Sequence, residues 1–141
     1  MPFKRMLVAT TLLLLALPAM AERNPMFTVI TSAEEETQMM ALILSMQAIE
    51  QDRSVRILLC DAGGELALAD TDEGTVFEPA GRTPQQLLTG LIQRGVQVDV
   101  CAIFLPQREA GEDDLIEGVG SARAPEVGEY MATPEVRYFT F

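Results

Sequence analysis

The chain has 141 residues with 21 acidic against 10 basic side chains, a formal net charge of -11, and not one histidine. That length holds one domain with a real core rather than two. The acidic balance, with no basic stripe, argues against a nucleic acid or an anionic membrane surface as partner, because both are recognised by clustered cations.

The first residues carry Lys4 and Arg5, then a twelve-residue apolar run from Met6 to Leu17, then Pro18 and the small-residue pattern Ala19-Met20-Ala21. Basic, apolar and small segments in that order predict a secretory signal peptide over residues 1–21, cleaved after Ala21. The run is too short for a membrane anchor, since a spanning helix needs ~20 apolar residues. The expectation is a periplasmic protein that starts at Glu22, carries no lysine, and has eight arginines against 21 acids, hence a net charge of -13, with no membrane contact after cleavage.

Met26 to Thr31 is a β-branched run that predicts a first strand. Ser32, with Glu35 three residues on, predicts a capping box that starts a helix at Ala33, and Glu34 to Glu36 suit the positive end of its dipole. Met39, Leu42, Ile43, Met46 and Ile49 fall on one face of that helix and direct it onto a sheet. Its methionines read as core filler. Arg53 to Cys60 is the second strand, and its continuous apolar end, Ile57-Leu58-Leu59-Cys60, predicts burial on both faces as in a parallel sheet.

Asp61-Ala-Gly63-Gly64 breaks that strand. Paired glycines at a strand's carboxyl end suggest a turn with free amides, the place where open α/β sheets bind ligands, so Asp61, Gly63 and Gly64 are a candidate ligand-binding turn. Glu65 to Ala69 follows as a turn or two of helix, and residues 70–83 as a polar surface loop suited to a lid or a subunit contact. Asp70-Thr-Asp72-Glu-Gly74 lacks the ligand spacing of a calcium loop. Thr83, Pro84 and Gln86 predict a capped helix whose buried face carries Leu87, Leu88, Leu91 and Ile92, with Gly95 as terminator.

Val96 to Leu105 predicts the third strand, ended by Pro106, with Asp99 and Cys101 on one face and Val98 and Val100 on the other. An acidic loop, a short helix over 114–119, another over 125–132, and a last strand over 136–141 complete the chain. Alternation of strand and helix predicts a three-layer α/β/α domain over residues 22–141 with a mainly parallel sheet of about five strands.

Without histidine or lysine, any chemistry in the mature chain falls to cysteine, and there are two, Cys60 and Cys101. An exported pair is by default a disulfide, whereas buried free cysteine is also a common small hydrophobe. Their spacing fits no zinc motif, so no metal and no cofactor is expected.

Gly95-Val-Gln-Val-Asp-Val-Cys101 and Asp114-Leu-Ile-Glu-Gly-Val119, placed in order between Cys60-Asp-Ala-Gly-Gly, Thr83-Pro-Gln-Gln-Leu-Leu and Val136-Arg-Tyr-Phe-Thr-Phe141, resemble the DsrE/DsrF-like family over essentially the whole mature chain. The resemblance implies a homo-oligomer, a trimer or hexamer, that exchanges sulfur with a donor or acceptor protein. It also implies that Cys101 takes the position of a cysteine that carries sulfur as a persulfide, making the chain a sulfur carrier or a sulfurtransferase component. Three readings follow: a sulfur or thiol handler working through Cys101, a redox or structural pair of Cys60 with Cys101, and a non-catalytic binding module. A carrier cysteine needs a thiolate, and the helpers on offer are an arginine, a helix amino terminus, or the amides of the 61–64 turn.

Overall fold

The computed structural model describes residues 23–71 and 74–141; the signal segment 1–21 lies outside them, as do Asp72 and Glu73 of the polar loop. Five strands, β1 (Arg23–Ile30), β2 (Arg53–Leu59), β3 (Gln97–Cys101), β4 (Val119–Ala122) and β5 (Arg137–Thr140), form one sheet in the order β4-β3-β2-β1-β5. Every neighbouring pair is parallel. The connections carry α1 (Glu35–Glu50), α2 (Pro84–Gln93), the single turn α3 (Phe104–Gln107) and α4 (Ala124–Met131).

Handedness sorts these helices. From β1 to β4 the chain steps along the sheet in one direction, and right-handed crossovers keep α1, α2 and α3 on one face. From β4 to β5 it steps back across the whole sheet, so the same handedness delivers α4 to the opposite face. The two faces are unequal. Ile30, Leu42, Ile57, Leu59, Leu88, Leu91, Val98 and Val100 are sealed in the first core. The second holds only Phe27, Leu58, Ala122 and Val136 fully buried, under half-buried Val127 and Tyr130 of α4.

Local chemistry explains most element ends. Thr83 accepts from the Gln86 amide and Gln86 returns the bond to Thr83, so the capping box of α2 forms as its residues predict. The box expected at Ser32 does not form: α1 starts at Glu35, because the Glu35 carboxylate turns outward to accept the Thr75 amide, while Ser32 Oγ accepts from Glu34 N at 3.0 Å. Where α1 crosses β1, Thr28 and Ser45 share a buried hydroxyl hydrogen bond of 3.0 Å, two small side chains that let helix and strand approach closely.

Two further expectations are corrected. The third strand ends at Cys101, not Leu105. Its ladder partners in β2 and β4 run out there, and the chain folds over so that Phe104 and Leu105 enter the first core from α3, with Pro106 inside that turn. Residues 114–119 are not a helix but a 3-10 turn, Glu112–Asp114, leading into β4. Gly120 makes β4 look like a loop, yet a Cβ at that position would stand 2.7 Å from Asp99 Oδ1, so the glycine answers to the neighbouring strand.

That Asp99 accepts from Arg56 Nη2 at 2.9 Å and from Gln97 Nε2 at 2.9 Å, with the Arg56 and Asp99 side chains each 11% exposed. Removing one partner of a nearly buried ion pair strands the other charge. Asp99→Leu should therefore destabilise the fold by roughly 3 kcal/mol, and Arg56→Met with Asp99→Leu should recover most of that loss, as read from urea unfolding midpoints.

Candidate functional site

Cys60 follows the last residue of β2 and Cys101 is the last residue of β3. The strands pair Arg56 with Gln97 and Leu59 with Val100, so the next rung brings residue 60 opposite residue 101. Parallel strands lie about 4.8 Å apart, which places two same-face cysteines on one rung within bonding reach without any backbone adjustment. Their Cα atoms are 5.2 Å apart and their sulfurs are joined. The sequence left open whether these thiols are free or paired; in the structure they form a disulfide.

The bond lies on the thin face, half-buried, at the carboxyl edge of the sheet. Here the chain leaves β3 toward one layer and β4 toward the other, the divergence that opens a crevice in α/β sheets. The crevice is a cleft of about 300 Å³ with Cys101 in its wall, beside Leu58, Ala122 and Val127, and with Ile103 and Met131 at its rim. Ile103 is 77% exposed, more than any other large apolar side chain among the described residues. Ala124, the first residue of α4, lines the same cleft.

Asp99 shares the Cys101 face, and its charge opposes a thiolate only if unpaired. Arg56 neutralises it and stacks 5.1 Å over the Tyr130 ring of α4. Burial pushes the Tyr130 phenol above its ordinary 10.0, with Arg56 pulling the other way.

The candidate ligand turn at 61–64 is used differently from expectation. It is part of a 3-10 turn, Asp61–Ala67. The Gly63 amide is not free, since it donates to Thr31 O at 3.2 Å, and a Cβ there would stand 2.4 Å from Ile30 O. A Cβ on Gly64 would meet the Phe104 ring at 2.5 Å. Both glycines permit close packing of the turn against β1 and α3. Asp61, in the left-handed region at φ 50°, begins this turn next to Cys60.

Sequence reasoning passed over Arg56, Tyr130 and the cleft residues of α4. Arg56 carried a signal, a lone cation inside the apolar strand Val55-Arg56-Ile57-Leu58 that demands a buried acid. The cleft carried none, because its walls meet only once β4 is recognised as a strand.

No family model matches the chain, and no curated protein matches it by sequence. Solved structures do. YchN from E. coli superposes with a TM-score of 0.71 at 22% identity, over 84% of this chain and 99% of that one. The chain has the YchN fold. MTH1491 from Methanobacterium thermoautotrophicum, a protein of unknown function, superposes at a TM-score of 0.60 and 18% identity, again over 84% and 99% of the two chains. The parallel five-stranded sheet with helices on both faces is thus the DsrE/YchN-like architecture that the order of motifs implied.

Two outcomes follow from the site. The disulfide closes a 41-residue separation, so reduction or Cys60→Ser should lower stability by roughly 3–4 kcal/mol in urea titrations, through the freedom returned to the unfolded chain. The raised Tyr130 value means the fold prefers the neutral phenol. That contribution is intact below pH 10.0 and is lost as pH rises through the higher folded-state value. Ultraviolet titration should show a late-ionising tyrosine that Tyr130→Phe removes.

Proposed function

We propose that this chain is an exported sulfur-handling protein of DsrE type, a carrier whose working residue is Cys101 and whose second thiol is Cys60. The observation that carries the reading is the joining of the two cysteines at the carboxyl ends of β2 and β3, with Cys101 facing an open cleft. The motif order of the sequence and the YchN fold support it. A signal segment over 1–21 would deliver the chain to an oxidising periplasm, where the bonded pair is its resting form.

Once a dithiol, or two thiol molecules in turn, has reduced the pair and left as its own disulfide, the Cys101 thiolate attacks the outer sulfur of a donor persulfide, R–S–SH. The product is a Cys101 persulfide, and the donor leaves as R–S⁻. An acceptor thiol can take the outer sulfur onward. If none arrives, the Cys60 thiolate attacks Cys101 Sγ, expels HS⁻ and restores the disulfide, with atoms and electrons balanced in each step. Half-exposed Tyr138 and Phe139 on β5, with Met40 and Leu44 on α1, offer apolar surface for the homo-oligomer that the family resemblance implies.

The bond itself favours one rival, a structural staple between β2 and β3 in a protein that binds without chemistry. Intact-mass and peptide mass spectrometry separate the two. After reduction and incubation with a persulfide donor, Cys101 should gain about 32 Da, one sulfur atom. The gain should persist longer in Cys60→Ser, which cannot expel it, and should vanish in Cys101→Ser. A reduced, folded protein that gains nothing would leave the staple as the answer.

A further inference from the structure

Among the described residues, nothing in the wall of the cleft beside Cys101 bears a charge; Leu58, Ile103, Ala122, Val127 and Met131 supply most of it. The arginines nearest in the chain and on this face each pair with a carboxylate. Arg123, just before α4, is bonded to Glu126, and Arg56 to Asp99. The chain as a whole is acidic, with a net charge of -11. A sulfonate, a carboxylate or a sulfur oxoanion entering here would leave water for apolar walls with no cation to receive it, a loss that polar groups buried without partners incur. An alkyl group would gain by the same move.

Cys101 lines the cleft and Cys60 does not, so an entering molecule meets one sulfur of the pair. The volume, about 300 Å³, is at the small end of ligand sites. One wall position is open: a Cβ on Gly128 would meet nothing within 4 Å.

We propose that this cleft selects small, uncharged, apolar thiols, and their persulfides, as reaction partners of Cys101, and turns away anionic thiols. The inference rests on the sulfur-handling reading and adds the substrate class to it. In the oxidised protein a neutral thiol R–SH seats its alkyl group in the cleft, gives its proton to water at the open mouth, and attacks Cys101 Sγ as R–S⁻. The bond to Cys60 breaks, Cys60 leaves with the electron pair and takes a proton from water, and Cys101 holds the R group as a mixed disulfide. A second R–S⁻ attacks the R sulfur, giving R–S–S–R and a free Cys101 thiolate. Two electrons have passed from two thiols to the protein disulfide.

The test uses the oxidised full chain with ethanethiol, propanethiol, butanethiol and mercaptoethanesulfonate. Opening of the disulfide is followed by alkylation and mass analysis. Each rate is normalised to thiolate concentration and to the same thiol's rate on bis(2-hydroxyethyl) disulfide, which has no cleft. The normalised rate should rise about fourfold with each added CH₂ that the cleft buries, and mercaptoethanesulfonate should fall about tenfold or more below propanethiol. Gly128→Leu, which fills the cleft and improves helix propensity, should slow butanethiol about tenfold while circular dichroism stays unchanged. Gly128→Arg should raise the relative rate of mercaptoethanesulfonate. A flat alkyl series, or an anionic thiol as fast as propanethiol, overturns the selection and leaves the persulfide mass test of the carrier role standing. A disulfide that no thiol opens in the folded protein overturns both.

Discussion

Parallel strands can slide past one another by two residues without changing which side chains face which layer, so apolar patterning alone leaves the pairing of β2 with β3 undecided. A slide of that size would carry Cys60 about 7 Å along the strand from Cys101, beyond any bond. Arg56 and Asp99 exclude one of the two directions of slide. Each is nearly buried, and they meet on a diagonal, Arg56 lying opposite Gln97 and Asp99 opposite Leu58, so a slide that carried Arg56 further from Asp99 would strand both charges. The ion pair closes off one direction and the bond between the two sulfurs closes off the other, so together they hold β2 and β3 in register.

The unequal faces divide the work of the fold. Helices α1 and α2 cover one side with large side chains at or near zero exposure, and that side holds most of the apolar burial. Among the described residues the other side carries α4 alone, a helix with no fully buried residue, held through Val127 and through Tyr130 against Phe27 and Arg56. Elements with few buried contacts open at lower free energy than the core. The disulfide and its cleft lie under the lightly held layer, where access to a sulfur asks least of the rest of the molecule.

Where an element's signal is local, it was legible. The box of Thr83 and Gln86 depends on residues three apart, and the alternation around Val98 and Val100 on a single strand. Readings failed where a distant residue had claimed the group in question. Glu35 serves Thr75 rather than Ser32, Gly120 gives way to Asp99, and the Gly63 amide serves Thr31. Cys60 and Cys101 were recognised as the chain's only thiols, and their pairing stayed open because it depends on an inter-strand register that no single segment encodes. The cleft was hidden for the same reason, its walls being drawn from β2, β4 and α4.

The bond from Cys60 to Cys101 also encloses a covalent ring. Inside that ring lie the 3-10 turn, the acidic and proline-bearing surface segment around Val76 to Gly81, and all of α2. A peptide bond severed in that surface segment leaves both halves of the sheet tethered through sulfur, so a protease nick there yields one molecule with two extra ends instead of two fragments. Durability against cleavage is thereby set by the oxidation state of two atoms rather than by the intactness of the backbone.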